Sequence, residues 1–254
     1  MLPRFKTLLA AALIGGTALT LPARAGSFTD AQTSEIGEVV KAYIIAHPEI
    51  IQQALETLDA RNKEAASKAQ SSAIAELHDV IYDSPNQAVI GNPQGKIELV
   101  EFVDYNCGYC KRALADTRAM IDQDKDVKIV LKEFPILSPG SVEAARVASA
   151  VNKVAPDKYA AFHFELMGGR GQADEAKALD AAGKVGVDVT AVKTAMADPK
   201  ITDGIQESYK IARKLDISGT PTYIVGDELV AGAIGIDDLR QKFASMRACG
   251  KTTC

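Results

Sequence analysis

Apolar side chains in the first third of this chain recur at helical spacing. Thr29 and Gln32 have capping-box spacing ahead of Ile36, Val39, Val40, Tyr43 and Ile44, which share one helical face. Pro48, in His47-Pro48-Glu49, interrupts that pattern and suits the first turn of a new helix. A second pattern then runs through Ile51, Leu55, Leu58, Ala65, Ala69, Ala73, Leu77 and Val80, mostly in steps of three and four. If continuous over 48–81, it predicts a helix about 50 Å long at roughly 1.5 Å per residue. From Arg61 to Ala73 alanine is the only apolar type, so this middle buries little area, and a rigid helix and a hinge are both open there. Residues 26–84 lack the composition for a core of their own, and their Ile and Leu faces must be covered by the body or by a second copy. The thin Ala/Lys/Gln/Ser stretch between the Ile/Leu-rich start and the body favours a second copy, and thus an oligomerisation stalk.

From about residue 85 the pattern becomes alternating strand and helix. Ala88 to Ile90 reads as a short strand, Asn92-Pro93-Gln94-Gly95 as a turn, and Ile97 to Val103 as a buried strand. A helix is predicted from about Gly108 to Ile121 and a strand from Val127 to Phe134, closed by Pro135. A long helical stretch follows, from about 138 to 214. Thr222 to Val225 and Leu229 to Ala231 then form two strands around Gly226-Asp227, and a last helix spans Ile236 to Met246. The expected architecture is one α/β domain over 85–254 with a helical insertion at about 138–214, preceded by the helical segment 26–84.

The N-terminus reads as a secretory signal. Arg4 and Lys6 precede an uncharged run from Leu8 to Leu21, and Ala23-Arg24-Ala25 is an A-x-A cleavage site, which predicts a signal peptide over 1–25 and a mature chain from Gly26. The run is about 14 residues, against roughly 20 for a membrane span. Removing Arg4, Lys6 and Arg24 takes the 29 basic residues to 26 against 33 acidic, a formal net charge of −7, which argues against a nucleic-acid partner. Export changes how the cysteines read, because disulfides persist in an oxidising compartment. The four cysteines form two close pairs, Cys107/Cys110 and Cys249/Cys254, and His47, His78 and His163 lie near neither, so a mixed Cys/His zinc site finds no support.

Cys107-Gly108-Tyr109-Cys110 sits where the strand 97–103 gives way to a helix. Unpaired backbone N–H groups and partial positive charge at a helix N-terminus favour thiolate over thiol, and a thiolate is the species that attacks a disulfide. Cys107, first in the motif, is the expected nucleophile, and Cys110, one turn in, the resolving thiol. Strand alternation puts Glu101 on one face with Leu99 and Val103, and Glu98 on the other with Val100 and Phe102. For Cys249 and Cys254 three readings stay open: a local disulfide, a second redox pair, or a copper(I) thiolate site.

Three motifs carry a resemblance. They are Val100-Glu101-Phe102 leading to the CGYC, Lys132-Glu133-Phe134-Pro135-Ile136-Leu137, and Ser218-Gly219-Thr220-Pro221-Thr222-Tyr223. Over about 85–247 the chain resembles the DsbA-like branch of the thioredoxin superfamily, and within it the suppressor-of-copper-sensitivity C type of periplasmic thiol-disulfide protein. Residues 26–84 resemble that type's oligomerisation segment. The resemblance implies a thioredoxin fold with an inserted helical subdomain. It further implies a cis-proline loop at Thr220-Pro221 whose backbone pairs with a client peptide, and a Gly108-Tyr109 dipeptide that tunes the redox potential. Glu101 would be a buried acid that exchanges a proton with Cys110. The implied activity is a periplasmic disulfide isomerase or reductase without a cofactor or metal. Its partners would be exported proteins with thiols or disulfides and a membrane-bound reductant, and it would form a homo-oligomer through 26–84. The rival readings are a monomeric dithiol oxidase, which would need a membrane-bound oxidant, and a copper(I)-binding protein.

Overall fold

The computed structural model describes residues 28–254. The expected signal sequence and its cleavage point lie outside the described residues. The chain divides into two compact units at Asp59/Ala60.

The first unit contains α1 (Asp30–Ala46) and the beginning of α2 (Glu49–Glu76). The expected capping box opens α1: Thr29 Oγ1 accepts the Gln32 N–H at 3.3 Å, and Gln32 Oε1 accepts the Thr29 N–H at 3.0 Å. No residue of α1 is buried. Val39, Val40, Tyr43 and Ile45 on α1, and Leu55 and Leu58 on α2, stay exposed.

The second unit is built on a five-stranded sheet. The residues of α2 after Asp59 belong to it, and α3 (His78–Tyr82) follows. Helix α2 passes through 61–73 unbroken, but the expected continuity to 81 fails at Leu77, whose N–H is shared between the Ala73 and Ile74 carbonyls at 3.2 and 3.1 Å. The break turns Ile81 and Tyr82 into the core beside Ile74, where they meet Val100, Phe102 and Ile224. The observed division therefore lies ahead of the 84/85 boundary read from the sequence, because residues 74–82 supply core side chains to the sheet.

The remaining elements run β1 (Ala88–Gly91), β2 (Ile97–Val103), α4 (Gly108–Gln123) and β3 (Val127–Glu133), then the helical insertion. That insertion comprises α5 (Pro139–Val154), α6 (Tyr159–Gly168), α7 (Glu175–Lys184), α8 (Val189–Met196) and α9 (Asp203–Lys214). A hairpin of β4 (Thr222–Val225) and β5 (Glu228–Ala231) and a final helix, α10 (Ile236–Cys249), complete the fold. The strand order is β1-β3-β2-β4-β5. β2 and β3 are parallel, with α4 as the crossover between them, and the other pairs are antiparallel. Central parallel strands are covered on both faces. Leu99 and Val103 of β2 face a cluster with α5, α6 and α10, whereas Val100 and Phe102 face the end of α2, α3 and α9. This arrangement sends the chain from the end of β2 straight into the CGYC turn.

Candidate active site

Four residues separate β2 from α4, and the last of them, Cys107, is the N-cap of that helix. Its sulfur accepts the Cys110 N–H at 3.4 Å, one of the donors a helix start leaves without an intrahelical partner. As a thiol, Cys107 donates to the Thr220 carbonyl at 3.0 Å. Both cysteines are free thiols and nearly closed to solvent, Cys107 at 5 % exposure and Cys110 at 2 %. A hydrogen bond from the Cys110 thiol lowers the Cys107 pKa to about 5, against the opposing effect of burial, with help from Thr220 and the backbone N–H groups of Cys110 and Tyr109. Cys110 moves the other way: it is pushed far up because it gives its proton to Cys107, and burial and the nearby Glu101 add to the effect. One sulfur is thus poised as a thiolate and its neighbour is held as the proton carrier.

Glu101 lies on the face with Leu99 and Val103, as the alternation predicts, and is buried beneath α4. Burial raises its pKa to about 8, a hydrogen bond from Thr117 Oγ1 at 3.5 Å pulls the other way, and charge on Cys107 adds to the rise. Tyr223 stands opposite Glu101 on β4, buried.

The Thr220-Pro221 peptide is cis and immediately precedes β4. The Thr220 hydroxyl is buried without a hydrogen-bond partner among the described residues, so it is available to the Cys107 sulfur once that sulfur ionises. Gly108 has open space where a side chain would begin, with only Arg112 Nη1 at 4.0 Å. Tyr109 is 60 % exposed, with the Arg112 guanidinium 4.0 Å over its ring. The fold therefore brings Cys107, Cys110, Glu101, Thr220 and Pro221 to one place, with Gly108 and Tyr109 on its rim.

Sequence reasoning passed over Asp104, Tyr105 and Asn106. The Asp104 carboxylate, almost wholly buried, accepts the N–H groups of Asn106, Ile136 and Leu137 at 2.8, 2.9 and 3.0 Å. Tyr105 and Tyr159 both donate to Glu133 Oε1, at 3.0 and 2.6 Å, and His163 Nδ1 lies 3.2 Å from the Tyr105 hydroxyl. Burial raises the Glu133 pKa to about 8 and lowers that of His163 to about 4. The available signal was three polar or aromatic residues in a row between a buried strand and the reactive cysteine.

The second cysteine pair is a disulfide, Cys249–Cys254, with Cα atoms 6.2 Å apart. Of the three readings for that pair, the local disulfide is the one observed, and in that state it offers no thiolate to a metal. Among the described residues only His78, Asp79 and Asp83 bring three possible metal ligands together, all of them exposed. No helix there is long and apolar enough to cross a membrane.

The family described as DSBA-like thioredoxin domain matches residues 98–244. The chain belongs to the DsbA-like thioredoxin family. Residues 32–65 match a second family, the copper resistance protein ScsC N-terminal domain. A thioredoxin-like oxidoreductase from Silicibacter pomeroyi is 40 % identical, with a TM-score of 0.64 over 67 % of this chain and 98 % of that one. A linker-deleted ScsC mutant of Proteus mirabilis is 28 % identical, with a TM-score of 0.67 over 88 % of this chain and 99 % of that one. Among curated relatives, disulfide bond formation protein D of Bacillus subtilis is 24 % identical over 65 % of this chain and 80 % of its own length. The chain spans only 24 % of the length of another, Na(+)/H(+) antiporter NhaA 1 of Salinispora arenicola, at 25 % identity over 62 % of this chain. This DsbA-like chain is a thiol-disulfide oxidoreductase of the DsbA/ScsC type.

Proposed function

We propose that the chain is a periplasmic disulfide isomerase and reductase for exported proteins, with Cys107 as nucleophile. The observation that carries this reading is the Cys107 sulfur at a helix N-cap, supplied with hydrogen by Cys110 and set against the Thr220 backbone. The Cys107 thiolate attacks one sulfur of a client disulfide, forming a mixed disulfide and expelling the other client sulfur as a thiolate. If a second client thiolate attacks the client sulfur of that bond, Cys107 leaves as thiolate and the client is rearranged with no net gain of electrons. If Cys110 attacks Cys107 instead, the client departs as a dithiol and a Cys107–Cys110 disulfide remains, which a membrane-bound dithiol reductant must reduce. Glu101 takes the proton that Cys110 loses in that second branch. Thr220 offers its backbone to the client as a strand partner, and Gly108 and Tyr109 border the groove. The signal-like N-terminus supports the periplasmic placement.

Within the helical segment 26–84, the part ahead of residue 60 forms the assembly surface in this reading, supported by the exposed apolar faces of α1 and the start of α2. Several sites facing one client raise the effective concentration of thiolate around it. The test is refolding of a scrambled multi-disulfide protein by the intact chain and by Val40→Lys plus Leu55→Lys, with light scattering on both. The intact chain is expected to be oligomeric and to restore the client, and the variant to be monomeric and to act only as an oxidase or reductant. A monomeric intact chain that oxidises reduced clients as fast as the variant would leave the oxidase reading in place.

A further inference from the structure

We propose that Asp104 and Asn106 are positioning residues that hold the two walls of the client-binding face at a fixed place beside Cys107. The proposal rests on the reading of that face as a client-binding exchange site.

The backbone of Asp104 braces the start of the motif: its carbonyl accepts the Cys107 N–H at 2.9 Å. Its side chain points away from that chemistry. A carboxylate buried at 1 % exposure is costly unless its oxygens are filled. Asp104 makes no ion pair among the described residues. Three backbone N–H groups fill it instead, and two of them belong to Ile136 and Leu137 in the loop between β3 and α5. Those two side chains are the exposed apolar groups of that loop, at 38 % and 54 %.

Asn106 does the same on the other side. Its Oδ1 accepts the Ala173 N–H at 2.6 Å, and its Nδ2 donates to the Ala173 carbonyl at 2.9 Å, a two-way clasp on the backbone of one residue. The same Nδ2 lies 3.0 and 3.2 Å from the hydroxyls of Ser141 and Ser138, the latter being the N-cap of α5. The two walls also meet directly, Gln172 Nε2 donating to the Ser138 hydroxyl at 3.2 Å. Lys111 adds a tie from α4 to the second wall through Gly169 and Gly171, at 2.8 and 3.1 Å. The residues leading into the nucleophile thus hold 136–138 and 169–173 in one geometry. Electron exchange at sulfur does not need those walls, but a bulky client laid across them does.

The experiment compares two substrates. Asp104→Asn keeps the size but cannot fill both the Asn106 and the Ile136/Leu137 N–H groups as a carboxylate does. It is expected to raise KM for a scrambled multi-disulfide protein at least fivefold. Its kcat for that client, its exchange rate with 5,5′-dithiobis(2-nitrobenzoate) and the Cys107 alkylation profile with pH should all stay within twofold. Asn106→Ala is expected to act in the same direction. Ile136→Ala plus Leu137→Ala should raise KM alone, and adding Asp104→Asn should raise it no further. Equal losses on both substrates, an unchanged KM, or additive effects would overturn the proposal. If Asp104→Asn does not fold, Asn106→Ala decides the matter by the same comparison. An intact chain that exchanges with the small disulfide but not with the protein client would sink the client-binding reading itself, whatever the variants do.

Discussion

Cys107 and Cys110 stand at the beginning of a helix, whereas Cys249 and Cys254 lie at and just beyond the end of one. The two helix ends present opposite unsatisfied groups, N–H at the start and C=O at the finish. Cys107 gathers hydrogen-bond donors around its sulfur, and its pKa falls. The tail sulfurs lie among carbonyls: the Ser245 oxygen is 3.4 Å from Cys254 Sγ, and the Lys251 and Thr253 oxygens are 3.9 and 4.0 Å from Cys249 Sγ. The tail pair is a disulfide set among carbonyls, whereas the buried pair is free and set among donors. The helix start contributes to that separation, together with the Cys110 thiol and Thr220 beside the Cys107 sulfur.

The strongest challenge to that contrast is removal of each pair in turn. Cys107→Ser should abolish exchange with any disulfide, by at least about 10³-fold, because a hydroxyl is not ionised near neutral pH. Cys249→Ser plus Cys254→Ser should leave the rate within twofold, and a tenfold loss there would make the tail a second redox pair. Next in size is Glu101→Gln. General acid–base assistance is worth about 10²-fold at its low end, so resolution of the mixed disulfide by Cys110 should slow by at least tenfold in acid-quench kinetics. Because Glu101 accepts a proton only when ionised, that step should accelerate in the intact chain as pH rises through about 8, and the variant should lose the inflection.

A smaller effect separates the sulfurs by titration. Iodoacetamide should alkylate Cys107 with half-maximal rate near pH 5, while Cys110 stays inert throughout the neutral range. The folded Cys107 pKa is depressed below that of the unfolded chain, roughly 8.5. The reduced protein therefore has the full stabilisation above the unfolded value and loses it progressively as pH falls through the folded one. Urea midpoints of the reduced protein at pH 4 and pH 9.5, on either side of both values, would measure that loss. Smallest of all is the contribution of the tail bridge to stability. Closing so short a loop constrains the unfolded chain by about 2 kcal/mol at most, and the Tm of the double tail variant should fall by only a few degrees.

Much of this was legible in the chain. The capping box at Thr29 and Gln32, the buried strand before CGYC and the face assigned to Glu101 all depend on neighbours within a few residues, and local spacing reports such relations well. The break at Leu77 was not legible, because the apolar steps continue through it and only packing on the sheet requires the turn. Nor were Asp104, Tyr105 and Asn106, whose partners Ile136, His163 and Ala173 lie 32, 58 and 67 positions away. Their types read as an ordinary polar loop until the fold supplies those partners.

Lys132 and Glu133 end β3 with a consequence for how the chain avoids misthreading. A strand buried on both faces has no apolar–polar alternation to tell it which way to face, and sliding by one residue would exchange its two sides. Here the adjacent residues carry opposite hydrogen-bonding roles to opposite sides, a donor in Lys132 and an acceptor in Glu133. The Lys132 ammonium donates to the Val80 carbonyl and Gln87 at 2.5 and 2.6 Å, while the Glu133 carboxyl receives the Tyr105 and Tyr159 hydroxyls. Displaced by one position, the Lys132 amine would confront the hydroxyl donors of Tyr105 and Tyr159, and the Glu133 carboxyl would lose them, both out of reach of water. Two neighbouring side chains thus act as a keyed plug: the strand seats in one alignment, and every residue it carries toward the sulfur site arrives in phase.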